Sequence, residues 1–343
     1  MKSSDRRSII PHRAWLSLTG FCNNSCKWCY RSGSEIPQFL DIDFVLKAIE
    51  TLVKCGTKKY TIIGGEPTLH RDYSYIVNAL INKENEIFCT LVTNGRLLSN
   101  GIPREWLGNN KIQVVISLHG ANRDHYFLNT GSKAGFQETR KAIKKMVSGK
   151  VDHSVNVVIS RENLPYIKDF VRIVSELKVG QLCFTIAIPS MNNLSYPSDY
   201  LELSGSVASI HSYCEEKKQK HVFIFSLPWC VLDGHLLSSL IKNGNLVFNC
   251  PAGEGQGIVI KEDGSLTICT HLSGYEIASK EDAEMILANP ESFSNFWNSM
   301  AMTKLRKTID VYRSDKCRKC VYRLHCKGGC PLWWKVYDFS SII

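Results

Sequence analysis

Short runs of β-branched and apolar residues alternate along the first half of the chain with amphipathic stretches, a rhythm that predicts repeated βα units. Six strands are predicted, at Ala14–Thr19, Tyr60–Gly64, Ile87–Thr93, Ile112–Leu118, His153–Ser160 and Gln181–Ile186. Helices are predicted at Asp41–Lys54, Asp72–Asn82, Phe136–Val147 and Leu164–Leu177, the last two with apolar residues three and four apart. Strands that alternate with helices pair in parallel through right-handed crossovers, so six such units imply an α/β fold, a partial (βα)6 TIM-like barrel. Chemistry in that architecture sits at the C-terminal ends of the strands.

The rhythm changes after Pro189, giving a Ser- and Asn-rich stretch (Ser190–Ser198), a mixed segment, and then a Gly- and Cys-rich tail. The expected organisation is a basic N-terminal segment 1–13, the barrel 14–189, a linker 190–249 and a Cys-rich extension 250–343. Within the extension, Gly257–Cys269 reads as a hairpin around an Asp263-Gly264 turn, with Leu266 and Ile268 alternating with Thr267.

The composition is that of a soluble globular protein of 343 residues, and no apolar run reaches the length of a membrane span. No apolar segment follows the basic N-terminus as it would in a secretory signal, and a cytoplasmic location is expected. Fourteen cysteines in a reducing compartment call for an explanation other than disulfides, and metal or iron–sulfur ligation is the first candidate. The net charge of +10 suits an acidic partner such as nucleic acid, an acidic peptide or a cofactor carboxylate. Because the Lys and Arg are scattered, a solvated basic surface accounts for the same charge, and no basic stripe interleaved with aromatics marks an RNA-binding face.

Directly after the first predicted strand comes Cys22-Asn-Asn-Ser-Cys26-Lys-Trp-Cys29. Three thiolates on one loop suit three irons of a [4Fe–4S] cube and leave the fourth iron open. Zinc is the alternative, although structural zinc sites usually pair two CxxC-type spacings. This CxxxCxxC, with the aromatic Trp28 before its last Cys, resembles the signature of the radical S-adenosylmethionine (radical SAM) superfamily. The resemblance implies that Cys22, Cys26 and Cys29 hold the cluster. It also implies that the open iron takes the amino and carboxylate groups of S-adenosylmethionine, whose reductive cleavage yields a 5′-deoxyadenosyl radical.

Other landmarks fall where that superfamily has them. Gly64-Gly65-Glu66-Pro67 closes the second strand and is similar to the motif whose backbone and acid hold the methionine ammonium. Asn94 closes the third strand and Ser117 the fourth, where relatives often place a Ser for the ribose or carboxylate. His119 stands where relatives often carry Asp. Asn156 on the fifth strand is either a cofactor ligand or a structural hydrogen-bonder, and Tyr30 is placed to pack on adenine or on the cluster.

In the tail, Cys317-x2-Cys320-x5-Cys326-x3-Cys330 follows Cys250 and Gly264-x4-Cys269, spacings that resemble the SPASM/twitch extension. The resemblance implies one or two auxiliary [4Fe–4S] clusters. Relatives with two usually carry a further Cys beyond the array, whereas Pro331–Ile343 has none. One cluster then has a non-Cys or open position, or Cys230 of Pro228-Trp229-Cys230 supplies the thiolate, or only one cluster is built. Cys230 has two further readings, as a thiol that returns hydrogen to a substrate radical and as an inert core residue. Cys55, Cys89, Cys183 and Cys214 are expected as buried small hydrophobes, and Trp333-Trp334 as a cover over a cluster.

By resemblance, the leading expectation is a maturase acting on ribosomally made peptides by cross-linking, epimerisation or oxidation, with an acidic leader matching the basic balance. An external donor such as flavodoxin or ferredoxin would supply electrons. No leader-recognition domain is expected before the first strand. The alternatives are a small-molecule dehydrogenase acting on an amino sugar, cyclitol or amino acid, and a non-catalytic zinc or nucleic-acid module.

Overall fold

The computed structural model describes residues 9–31, 38–83, 86–189, 195–248, 250–272, 275–309 and 314–339. Positions 1–8 of the expected basic segment, 190–194 of the expected linker and 340–343 of the tail lie outside them.

In chain order the elements are β1 (Arg13–Ser17), α1 (Ile42–Lys54), β2 (Lys59–Ile63), α2 (Tyr73–Ile81), β3 (Phe88–Thr93), β4 (Ile112–Ser117), α3 (Arg123–Thr130) and α4 (Gly135–Ser148). There follow β5 (His153–Ile159), α5 (Ile167–Glu176), β6 (Leu182–Ile186), α6 (Tyr200–Glu216), β7 (His221–Ile224), α7 (Gly234–Lys242) and β8 (Leu246–Val247). The last are β9 (Gly257–Ile260), β10 (Leu266–Thr267), α8 (Lys280–Ile286), α9 (Pro290–Trp297), α10 (Met300–Ile309) and α11 (Asp315–Lys319). All six predicted strands and all four predicted helices are present, their ends shifted by up to three residues.

The chain divides into two compact units. The first comprises Met1–Phe21, Pro37–Thr90 and Cys250–Val311. Here β1 pairs in parallel with β2 on one side and with β9 on the other, Arg13 standing opposite both Lys59 and Gly257. The predicted hairpin forms, β10 running antiparallel to β9 with Leu266 opposite Ile260. Its turn works because Gly264 adopts φ +87° and Asp263 accepts from the Ser265 amide at 2.9 Å. Asp41 caps α1 by accepting from the Phe44 amide at 2.9 Å, and the helix buries Phe44, Val45, Ala48, Ile49 and Leu52. The α1 hydroxyl of Thr51 donates to the Leu287 carbonyl just past α8 at 2.8 Å.

The second unit comprises Cys22–Ile36, Leu91–Asn249 and Tyr312–Ile343. Its strands β4, β5, β6, β7 and β8 pair in parallel, each with the next. The βα rhythm therefore continues past the sixth strand, into the region expected as linker. Asp199 starts α6 by accepting from the Leu201 amide at 2.7 Å, and Leu203, Val207, Ile210 and Cys214 form its buried stripe. This mostly parallel α/β arrangement is that of a partial barrel. No helix among the described residues is long and apolar enough to cross a membrane.

Candidate active site

The Cys22–Cys29 loop has little regular structure, so side chains from elsewhere in the second unit give it shape. The Ser25 amide donates to the Thr130 carbonyl at 2.8 Å and the Lys27 amide to that of Asn129 at 3.2 Å, both at the end of α3. Asn24 donates to the Tyr126 hydroxyl at 3.1 Å. Arg96, just beyond β3, reaches the loop with one guanidinium nitrogen, which donates to the Asn23 carbonyl and to Asn24 Oδ1, the latter at 3.1 Å. Its Nε is held by Glu138 at 2.6 Å. Asn94 donates to Asn23 Oδ1 at 2.7 Å and accepts from the Arg96 amide at 3.0 Å, while the Thr139 hydroxyl donates to its carbonyl. Ser195 donates to the Lys27 carbonyl at 3.3 Å.

Within this frame Cys22 is exposed and Cys26 and Cys29 are half-buried, and the Asn24 amide approaches Cys22 Sγ at 3.4 Å. Trp28 is nearly buried and packs on the His119 ring at a centroid distance of 5.7 Å. Desolvation pushes His119 down to about 4, so it is a neutral packing surface at pH 7. Tyr30 is half-buried.

Ser117, the last residue of β4, stands opposite Asn156 in the middle of β5, and Asn156 opposite Cys183 near the start of β6. Residues directly opposite share a face, so all three belong to one half-buried surface. Asn156 Oδ1 accepts from the Thr185 hydroxyl at 2.8 Å.

Gly64-Gly65-Glu66-Pro67 belongs to the first unit, where it lies against residues 19–21. The Gly65 amide donates to the Thr19 carbonyl at 2.6 Å and the Glu66 amide to that of Phe21 at 2.8 Å. A Cβ on Gly65 would fall 2.6 Å from the Phe21 carbonyl carbon and 2.7 Å from the Gly20 oxygen, so only glycine fits. Glu66 is buried, and its Oε1 accepts from the Thr68 amide at 3.1 Å and hydroxyl at 2.5 Å, capping the turn Pro67–Leu69.

The tail array shapes itself through tight turns. The Cys320 amide donates to the Cys317 carbonyl, that of Cys326 to Tyr322 and that of Gly329 to Cys326. Ser314 starts α11 by accepting from the Cys317 amide at 3.2 Å. Cys317 and Cys326 are buried, Cys320 and Cys330 half-buried. In the first unit the Cys269 thiol is pushed up to about 11, chiefly by burial and further by the charge of Cys250. Of the four cysteines expected in the core, Cys89 and Cys214 are buried. Cys55 and Cys183 are only half-buried, because Cys55 ends α1 and Cys183 faces the half-covered side of β6.

Tetrahedral zinc, with Zn–S bonds of about 2.3 Å, brings its thiolates to about 3.8 Å from one another. Among the described residues no three cysteine sulfurs lie within 4.8 Å of one another.

Residues 16–174 match the Radical SAM superfamily. The chain is similar to that superfamily over this stretch. Sporulation killing factor maturation protein SkfB of Bacillus subtilis (strain 168) is 30% identical over 175 residues, 48% of this chain and 40% of SkfB. Mycofactocin maturase MftC of Mycolicibacterium smegmatis is 24% identical over 319 residues, 91% of this chain and 76% of MftC. A GTP 3′,8-cyclase of Mannheimia succiniciproducens is 28% identical over 134 residues, 38% of this chain and 39% of the cyclase. The matches to SkfB and to that cyclase thus span about two fifths of each relative's length. Streptococcus suis SuiB, solved bound to precursor peptide SuiA, shares the fold with a TM-score of 0.72 at 17% identity, over 96% of this chain and 74% of SuiB.

Radical SAM proteins use S-adenosylmethionine and a [4Fe–4S] cluster, and three thiols on one loop suit such a cluster. The structure also gives roles to residues that the sequence did not single out. Asn94 braces the cluster loop, and Asn23, Asn24, Arg96, Tyr126, Glu138, Thr139 and Ser195 form or anchor the same frame. Only the Thr93-Asn94-Gly95 strand end hinted at it, because the partners lie tens of residues apart.

Proposed function

We propose that this chain is a radical SAM enzyme that modifies a ribosomally made peptide. When bound, S-adenosylmethionine and its cluster supply a 5′-deoxyadenosyl radical that abstracts hydrogen from substrate. Cys22, Cys26 and Cys29 are the protein's ligands to that cluster, on a loop fixed by Arg96, Asn94 and the end of α3. Glu66 with the Gly64-Gly65 backbone receives the methionine end, and Ser117 and Asn156, paired across β4 and β5, line the surface that meets the rest of the cofactor. Trp28 and Tyr30 pack beside it. Cys250, Cys269, Cys317, Cys320, Cys326 and Cys330 hold one or two auxiliary clusters in a SPASM/twitch-like region from 250 onward. Flavodoxin or ferredoxin is the expected electron donor, and the cytoplasm the expected location.

The observation that carries the reading is the three-thiol loop, whose position is held by a frame of side chains rather than by a fourth thiol. Peptide as the substrate class draws support from SkfB and MftC, both named for maturation, from SuiB bound to its precursor peptide, and from the net charge of +10. The test is to incubate anaerobically reconstituted protein with S-adenosylmethionine, a reductant and short peptides encoded beside it. One peptide is expected to lose two hydrogens or, in heavy water, to take up deuterium. Deoxyadenosine release with every peptide unchanged counts against it. The cyclase match favours a second reading, a nucleotide or other small molecule as substrate, which predicts that such a metabolite rather than a peptide stimulates deoxyadenosine release.

A further inference from the structure

The turn that carries Cys230 is built against the tail array. The Trp229 amide donates to Cys326 Sγ at 3.2 Å. The Cys330 amide donates to the Ser226 carbonyl at 2.7 Å, and Trp333 Nε1 to the Ser226 hydroxyl at 2.9 Å. Gly329 lies so close to this turn that a Cβ there would fall 2.7 Å from the Leu227 carbonyl carbon, the Pro228 nitrogen and the Ser226 oxygen. The Trp229 ring lies parallel to that of His325 at 6.2 Å and tilted to that of Tyr322 at 5.9 Å. Residues 226–230 and 322–330 are thus one packed body, although about a hundred residues separate them in sequence.

Cys230 is the odd thiol in that body. It is exposed, so it is not the small core hydrophobe that Cys89 and Cys214 are. The amide of the preceding residue, Trp229, donates to Cys326 Sγ, so the chain meets the array one residue before Cys230. Cys317, Cys320 and Cys326 form the CxxC-x5-C part of that array.

We infer that Cys230 is the fourth protein ligand of an auxiliary iron–sulfur cluster held by Cys317, Cys320 and Cys326, a thiol contributed by the turn that packs against the array. This inference deepens the proposed function, because it rests on the array holding a cluster. It assigns Cys230 a ligand's role rather than that of a hydrogen donor. A cluster closed by four thiolates has no open iron, which makes it a store or relay for electrons rather than a binding site for substrate. Trp229, whose amide already points at Cys326 Sγ, would then be a positioning residue that tunes the cluster through an N–H···S bond.

The test uses the full chain reconstituted anaerobically in a Cys22/Cys26/Cys29→Ala background, so that only auxiliary clusters contribute iron. Cys230→Ala is expected to lose four irons and four sulfides per chain, or to keep them with a changed EPR spectrum of the reduced protein. Cys230→Ser, which offers oxygen for sulfur, is expected to keep the irons and shift the spectrum. Mass mapping of iodoacetamide-labelled thiols provides a check that needs no variant: Cys230 should be labelled in iron-free protein and protected after reconstitution. Iron content, spectrum and Cys230 labelling all unchanged would overturn the assignment while leaving the array a cluster site. A background protein that takes up no iron at all would overturn the assignment and the auxiliary-cluster reading together.

Discussion

Two cysteine-bearing segments of the second unit are shaped by opposite means. The Cys22–Cys29 loop bonds to itself from the Cys29 amide to the Cys26 carbonyl at 3.1 Å and from the Asn24 amide to Cys22 Sγ at 3.4 Å, and takes further form from Arg96, Asn94, Tyr126 and the last carbonyls of α3. The Cys317–Cys330 array folds on its own turns and is walled by Trp229, Tyr322 and His325. A loop with so few bonds of its own takes its shape from the side chains around it. A segment with four thiols in close sequence can take its shape from its own backbone.

The sharpest way to break this contrast is to remove the ligands themselves. Cys22/Cys26/Cys29→Ala should reduce deoxyadenosine formation to background while the irons bound by the tail remain, read by chromatography and iron counting on the same samples. A loss of all iron would show that the two sites do not load independently. Next in size is Arg96→Ala, which removes charge-assisted bonds to the loop and strands Glu138. About 2–3 kcal/mol of stability should be lost in denaturant unfolding, together with iron from the loop, and Arg96→Lys should restore only part. Gly65→Ala forces a methyl into the residue 20–21 backbone, at a cost of about 1–3 kcal/mol, and should weaken S-adenosylmethionine binding measured by calorimetry.

A smaller effect concerns the neutral His119 beneath Trp28. Its folded-state value of about 4 lies below the ordinary 6.5, so the unfolded chain binds the proton first as pH falls. Its contribution to stability is therefore complete above about pH 6.5 and is lost as the pH drops toward about 4. His119→Gln should flatten the stability–pH curve in that window, and an unchanged slope would place the effect on other histidines. Smallest of all, Cys89→Ala should cost about 1 kcal/mol or less and no iron, since the thiol is buried under β3 and serves only as packing.

The six strands and four helices of the first half were legible because period and punctuation agree there. Asp41 caps α1 just where its apolar stripe begins, and the Asp263-Gly264 pair turned the hairpin as expected. The stretch after Pro189 misled because its Ser and Asn content suggested a linker. The stripe Leu203, Val207, Ile210, Cys214 with Asp199 before it is helical in pattern, and His221–Ile224 is too short to stand out as a strand without its neighbour β6. The cysteine motifs were visible as spacings because their members lie close in sequence. Their support was not, since Asn23 meets Asn94, Asn24 meets Tyr126 and Trp229 meets Cys326 only through tertiary packing.

The commitment of the Ser25 and Lys27 amides to the α3 carbonyls has an electronic consequence. Amide hydrogens aimed at cluster sulfur stabilise an added electron and raise the reduction potential, and here two that could do so are turned away. The same carbonyls form the negative pole of the α3 dipole, which further disfavours extra charge nearby. A cluster held on this loop as proposed would keep the Asn24 amide near Cys22 but lose those two donors, which would lower its potential and favour passing an electron onto a sulfonium.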